Sequence, residues 1–142
     1  MRNRFSIVAA AIAFFSLLAA TTASAQVVVR IDKRTQTMNV WVNGSHHASW
    51  PVSTGRGGYG TPSGNFRPQG LAARHYSLIY NNAPMHNAVF FKGGYAIHAT
   101  TETRNLGRPA SHGCIRLHPE NAREFYSLVR THGAARTRIS VR

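Results

Sequence analysis

The chain has 142 residues, with 17 Lys and Arg against 4 Asp and Glu, which gives a formal net charge of +13. So few acids argue against a carboxylate-pair glycosidase and against a calcium cage, because both need several carboxylates close together. The single cysteine excludes an internal disulfide and any metal site that takes two or more cysteines from one chain. A hydrophobic share of 43% nevertheless indicates a folded domain.

The first 25 residues have the pattern of a secretory signal peptide. Arg2 and Arg4 precede an apolar run over residues 7–20, and small residues stand before a predicted cleavage after Ala25. That run is shorter than the about 20 residues that cross a bilayer, which favours a cleaved signal over a retained anchor. The sequence therefore predicts an exported, periplasmic or cell-envelope protein with no stable membrane span after cleavage. The remaining residues, 26–142, carry a net charge of +11 and fit one domain.

Strand patterns dominate residues 26–142. Short β-branched runs and alternating apolar and polar residues predict strands over 27–31, 38–43, 48–52, 65–67, 89–91, 95–98, 114–117 and 138–141. Asn43-Gly44 is a hairpin turn signal, and Pro51 indicates that the return strand is an edge strand or carries a bulge. Gly93-Gly94 predicts a second hairpin turn.

One helix is predicted late in the chain, over residues 119–130. Pro119 suits a first helical turn and Glu120 lies near its positive end. Apolar residues share one face, and Gly133 is expected to end the helix. These elements together predict a mainly β domain with one helix after the last internal strand.

The glycine-rich segment at residues 55–60 fits the letters of a dinucleotide-binding motif. That motif requires a helix to begin there and an acid about 20 residues further on. Pro62 opposes a helix, and no acid occurs between Asp32 and Glu102. We therefore expect a tight turn between strands, and no nucleotide cofactor.

The residues that indicate chemistry are the run from Ser111 to Arg116 and, sixteen positions before Cys114, His98. A thiol without a disulfide partner is unusual in an exported protein, and neighbouring His and Arg are expected to lower its pKa. A cysteine nucleophile also needs a base and oxyanion donors. Either His98 or His112 is a candidate base.

Local spacing adds detail to this hypothesis. In an extended segment, His112 and Cys114 face the same way, and the N–H of Gly113 or of Cys114 is a candidate oxyanion donor. Because Glu102 is the nearest acid to His98 in sequence, a backbone carbonyl is expected to orient the imidazole. One alternative is a packed strand with incidental histidines. Another is a metal site, but its four candidate ligands lack a standard spacing: His98, His112, Cys114 and His118.

Ser-His-Gly-Cys-Ile-Arg-Leu at 111–117, after Tyr-Ala-Ile-His at 95–98, resembles the signature of the YkuD-type L,D-transpeptidases. The similarity extends to Val-Ser-Thr-Gly at 52–55, Gly-Thr-Pro-Ser-Gly-Asn-Phe at 60–66 and Pro-Glu-Asn-Ala at 119–122. It covers most of residues 27–141. Members of that family often carry Gly directly after the first histidine, where this chain has Ala99.

The resemblance implies a YkuD-like β-sandwich with one helix after the cysteine strand. It implies an exported cysteine acyltransferase that releases the terminal D-Ala of peptidoglycan stem tetrapeptides through a thioester and transfers the acyl group to an amine, without metal or cofactor. Cys114 would be the nucleophile and His98 the proton acceptor and donor. Four residues would support the substrate or the oxyanion: Ser111, His112, Gly113 and Arg116. A carbapenem is then expected to acylate Cys114.

Other functions remain open on the sequence alone. Three acyl acceptors are open: an amine of another stem peptide, an amine of an outer-membrane protein, or water. With water as acceptor, the enzyme would be an L,D-carboxypeptidase. A non-catalytic basic module for anionic envelope polymers is the alternative from another class. Nucleic acid is disfavoured by export and by basic residues that are scattered without interleaved aromatics. Residues 81–87 are predicted to be either a substrate-facing loop or an ordinary polar turn.

Overall fold

A computed structural model describes residues 24–142, so the predicted signal peptide lies almost entirely outside the described residues. These residues form nine strands: β1 (Val27–Asp32), β2 (Thr37–Val42), β3 (Ser45–Pro51), β4 (Gly64–Phe66), β5 (Gly70–Ala72), β6 (Ala88–Lys92), β7 (Tyr95–Ala99), β8 (Ile115–Leu117) and β9 (Thr137–Val141). Within the same residues one α-helix, α1 (Pro119–His132), and two 3₁₀ turns, Thr103–Asn105 and Ala134–Arg136, complete the structure.

The strands form two sheets, with orders β3-β2-β1-β9-β4 and β5-β6-β7-β8. Pairing is antiparallel except for two parallel pairs, β1 with β9 and β7 with β8. The first hairpin turns at Asn43 and Gly44, which both have positive φ as a type I′ turn requires. The predicted mainly β fold with one helix is confirmed.

The main apolar core lies between the sheets and the helix, and a smaller cluster of Met85, Ala88 and Ala96 packs beside Cys114. Alternate residues of β1 face it, namely Val27, Val29 and Ile31, and the helix contributes Ala122, Phe125 and Val129. The four-stranded sheet turns Ile97, Ile115 and Leu117 to the same core. Since side chains alternate along a strand, the residues between these point to the opposite face of that sheet.

Most predicted elements lie within a few residues of the observed ones. Strand β5 was not predicted, because a three-residue Gly-Leu-Ala run carries no periodic signal. The cysteine strand begins at Ile115 rather than Cys114, and the helix continues to His132, where Gly133 with φ 92° ends it. Across residues 24–142, none of the helices has the length and apolar character that a bilayer span requires.

Candidate active site

The parallel pair β7–β8 sets the geometry of the candidate site. His98 lies directly opposite Arg116 in the register, and Cys114 stands two residues before Arg116. Because side chains at i and i+2 share a face, His98, Cys114 and Arg116 all point away from the main core. They meet in a cavity of about 370 Å³ that is lined by Ser77, Ile79, Tyr80, Asn81, Ala83, Pro84, Met85, His98, Thr100, Thr101, Glu102, Ser111, His112, Cys114 and Arg116.

His98 is held by one backbone hydrogen bond and by burial. Its Nδ1 lies 2.7 Å from the carbonyl oxygen of Ala99, which can only accept, so Nδ1 carries the proton. The neutral ring then has a free electron pair on Nε2. The side chain is only 5% exposed, and burial lowers the pKa of His98 to about 4, with the charge of Arg116 acting in the same direction. A backbone carbonyl therefore orients this ring, and Ala99 supplies it.

The thiol of Cys114 is also uncharged at neutral pH. Burial raises its pKa above the ordinary value, although the Ala96 N–H, 3.4 Å from Sγ, and the charge of Arg116 act in the opposite direction. The expectation of a lowered thiol pKa was therefore wrong. Neighbouring basic residues are visible in the sequence, whereas the burial that outweighs them is not.

Ser111 fixes the backbone on both sides of the cysteine amide. Its hydroxyl donates to the Cys114 carbonyl at 2.5 Å and accepts the Gly113 N–H at 3.0 Å. Gly113 has φ 116°, and a Cβ there would stand 2.6 Å from the Tyr95 ring, so the position requires glycine. Gly113 does not line the cavity, and its N–H is already engaged by Ser111. Of the two candidate oxyanion donors, the Cys114 N–H remains.

His112 lies at the solvent-facing side of the cavity and contacts three side chains. Tyr80 stacks on it with ring centroids 4.3 Å apart, and Tyr59 meets it edge-on at 4.6 Å. Arg56 Nη2 donates to its Nε2 at 3.1 Å. Partial desolvation and the charges of Arg56 and Arg116 lower the pKa of His112. Both His112 and Cys114 line the cavity as expected, but residues 112–114 form a bend with Gly113 at φ 116°, not the extended segment on which that expectation was based.

Arg116 and Glu102 are the charged side chains of opposite sign at the cavity wall. Arg116 Nη1 lies 3.4 Å from Glu102 Oε2, and the arginine is the more buried partner. The Arg116 backbone exchanges two hydrogen bonds with Ser53, at 2.9 and 3.1 Å. A half-buried guanidinium in the same cavity as the thiol can donate hydrogen bonds to a carboxylate.

Residues 81–87, predicted as either a substrate-facing loop or an ordinary polar turn, contribute four residues to the cavity wall: Asn81, Ala83, Pro84 and Met85. The aromatic and basic residues around His112 were not predicted. Tyr59 and Arg56 belong to the glycine-rich loop, which the sequence indicated only as a turn, and Tyr80 comes from the other side of the cavity. Sequence separation hides this convergence, because Arg56 and His112 are 56 positions apart.

The four candidate ligands of the alternative metal site do not come together in the described residues. His118 instead caps helix α1, where its Nδ1 accepts the Glu120 N–H at 3.3 Å. No group of three or more His, Cys, Asp or Glu side chains within residues 24–142 is placed to hold a metal ion.

The fold and the site define a β-sandwich domain with a half-buried cysteine directly before strand β8 and an oriented histidine on the neighbouring parallel strand β7. A model of the YkuD family, the L,D-transpeptidase catalytic domain, matches residues 26–140, and the chain belongs to this family. The family expected from the signature residues is confirmed. No curated protein sequence matches the chain at a significant level.

Several solved structures of L,D-transpeptidases have a similar fold. One from Mycobacterium smegmatis is 24% identical, with 83% of this chain and 59% of that chain covered and a TM-score of 0.73. One from Stackebrandtia nassauensis is 25% identical, with 91% and 61% covered and a TM-score of 0.72. L,D-transpeptidase 3 from Mycobacterium tuberculosis, in complex with a faropenem-derived adduct, is 21% identical, with 82% and 60% covered and a TM-score of 0.69. The chain spans about six-tenths of the length of these proteins.

Proposed function

We propose that this protein catalyses L,D-transpeptidation of peptidoglycan stem peptides, with Cys114 as nucleophile and His98 as base. The observation that carries the proposal is the convergence of both side chains on one sheet face in one cavity. His98 is in the tautomer that leaves Nε2 free to take a proton. Membership of the L,D-transpeptidase catalytic-domain family supports the same reaction.

In the first half-reaction, the sulfur of Cys114 attacks the carbonyl at the L-centre of diaminopimelate in a tetrapeptide stem. The thiol proton passes to Nε2 of His98, and the Cys114 N–H donates to the oxyanion. The tetrahedral intermediate then collapses, the carbon–nitrogen bond breaks, and D-Ala leaves with the proton from His98. A thioester on Cys114 remains, and Arg116 holds a carboxylate of the bound peptide.

In the second half-reaction, an amine from another stem peptide attacks the thioester and yields a 3→3 cross-link. His98 takes the amine proton and returns a proton to the departing thiolate. An amine of an outer-membrane protein would tether that protein to the wall by the same chemistry. Attack by water would make the enzyme an L,D-carboxypeptidase.

The proposed compartment is the cell envelope, reached by export and cleavage after Ala25. The residue pattern of the first 25 positions supports this location, and so does the excess of basic residues, since envelope polymers are anionic. Mass determination of the N-terminus of the secreted protein tests the cleavage, and a mature chain that begins at Gln26 is expected.

Digestion of purified disaccharide-tetrapeptide muropeptides, with the products identified by mass, tests the function. A cross-linked dimer that has lost one D-Ala identifies the transpeptidase, and a disaccharide-tripeptide formed by hydrolysis of the terminal D-Ala identifies the carboxypeptidase. Cys114→Ala, which keeps a small apolar group at the site, is expected to form neither. Binding of muropeptide polymer without turnover by the wild-type protein would support the basic binding module instead.

Intact-mass spectrometry with β-lactams provides an independent test of the nucleophile. The adduct named for the Mycobacterium tuberculosis relative motivates faropenem as one probe, and a carbapenem is the other. We expect one covalent adduct on the wild-type protein and none on Cys114→Ala. An equal adduct on both proteins would exclude Cys114 as the acylated residue.

A further inference from the structure

The hydroxyl of Thr61 joins the glycine-rich loop to the backbone beside the cysteine. Thr61 Oγ1 accepts the Gly55 N–H at 2.8 Å and donates its single proton to the Gly113 carbonyl, also at 2.8 Å. The side chain is 5% exposed, so both bonds are shielded from water. Thr61 does not line the cavity, and the reaction proposed above gives it no role.

The Gly113 carbonyl belongs to the same peptide unit as the Cys114 N–H. The two groups point in opposite directions across a planar trans peptide, and no cis peptide occurs within residues 24–142. Whatever fixes the carbonyl of Gly113 therefore also fixes the direction of the Cys114 N–H. This amide makes no hydrogen bond to another of the described residues.

This peptide unit needs an anchor because it follows a glycine. Gly113 at φ 116° has wide conformational freedom, and Ser111 holds the groups on either side, the Gly113 N–H and the Cys114 carbonyl. The carbonyl between them is held by Thr61. Ser111 and Thr61 together fix three backbone groups around the Cys114 N–H: the Gly113 N–H, the Gly113 carbonyl and the Cys114 carbonyl.

We propose that Thr61 is a positioning residue, whose hydroxyl holds the Gly113–Cys114 peptide so that the Cys114 N–H faces the oxyanion of acyl transfer. This inference rests on the proposed function. Oxyanion donors stabilise charge only when they are already oriented, because reorientation during the reaction costs free energy. A free Gly113 carbonyl lets the peptide rotate, and we expect acylation to slow by about 10- to 100-fold.

Three variants test the role. Thr61→Val removes the hydroxyl at nearly constant volume, and Thr61→Ser keeps it. Thr137→Val is the matched control, because Thr137 is also a buried threonine and its hydroxyl donates to the Gly133 carbonyl at 2.9 Å, away from the cavity. We expect slow acylation by a carbapenem only in Thr61→Val, with the other two variants within about threefold of wild type.

Alkylation of Cys114 by iodoacetamide separates positioning from general damage. Sulfur displaces iodide from the methylene carbon and the thiol proton is lost to His98 or solvent, so no oxyanion forms. Thr61→Val is therefore expected to alkylate at the wild-type rate. Equal slowing of alkylation and acylation, failure of Thr61→Ser to restore acylation, or normal acylation of Thr61→Val would overturn the inference alone. A wild-type protein that no β-lactam acylates would overturn the proposed function itself.

Discussion

Cys114 and His98 are both in their uncharged forms at neutral pH because burial acts on the two pKa values in opposite directions. Burial penalises the thiolate and raises the pKa of Cys114, and it penalises the imidazolium and lowers the pKa of His98 to about 4. A preformed thiolate–imidazolium pair is therefore disfavoured. In the proposed reaction, the thiol proton then moves to His98 only as sulfur attacks the substrate, so loss of the base should slow the reaction.

The pH dependence of the acylation rate should show that Cys114 and His98 are both uncharged at neutral pH. Because His98 must be unprotonated, we expect the rate with a carbapenem to fall below about pH 4 to 5, rather than near the ordinary histidine value of about 6.5.

His98→Ala should acylate about 10²-fold more slowly, the usual contribution of a general base. Quenched-flow mass spectrometry measures both the pH dependence and this slower rate. A normal rate in His98→Ala with a slow rate in His112→Ala would instead assign the base to His112.

At the level of elements, the segment from Tyr76 to Pro84 forms a loop that closes on itself. Tyr76 bridges to Pro84, and the Ser77 N–H donates to the Ala83 carbonyl at 2.9 Å. Its tip is exposed, with Leu78 at 95%, and it reaches the cysteine segment through the Tyr80 ring stacked on His112. This stack connects the loop to the cysteine segment, and both of its rings line the cavity.

Loss of that stack should shorten the life of the acyl-enzyme. An aromatic pair is worth about 0.5 to 1.5 kcal/mol, so Tyr80→Ala is expected to speed hydrolysis of a β-lactam adduct by about 2- to 10-fold through easier water entry. Decay of the adduct by intact mass measures the rate. Leu78→Ala is the matched control from the same loop and should decay like the wild type. An unchanged adduct lifetime in Tyr80→Ala would show that the stack does not control water access.

The elements differ in how far the sequence predicts them. The two hairpins are predictable because Asn43-Gly44 and Gly93-Gly94 stand between alternating runs, and the helix because Pro119 and Gly133 bound an apolar stripe. The parallel pairing of β9 with β1 is not predictable, since it joins the ends of the domain. In the site, the signature segment indicates the cysteine and both histidines. The hydroxyl link from Thr61 and the burial that sets both pKa values depend on the assembled sheets.

The whole molecule couples its folding to the protonation of this site. Both sheets and α1 share one core, and the face of the four-stranded sheet opposite that core carries His98, 5% exposed with its ring neutral. In the unfolded chain the same imidazole takes up a proton near pH 6.5. The folded protein binds that proton only near pH 4, so the unfolded state gains protons first as the pH falls.

The contribution of His98 to the free energy of unfolding should therefore decrease as the pH falls from the unfolded-state pKa to the folded-state pKa. A folded-state pKa below the unfolded one stabilises the fold fully above about pH 6.5, and the contribution falls by about 2 to 3 kcal/mol on going to pH 4.5. Urea unfolding at pH 7.5 and 4.5 measures the change in the wild type and in His98→Gln, which does not titrate and keeps an N–H for the Ala99 carbonyl. All other titrating groups are common to both proteins and cancel in the difference. We expect the wild type to lose about 2 to 3 kcal/mol more than the variant, and equal losses would mean that His98 is protonated in the folded protein at pH 4.5 as readily as in the unfolded chain.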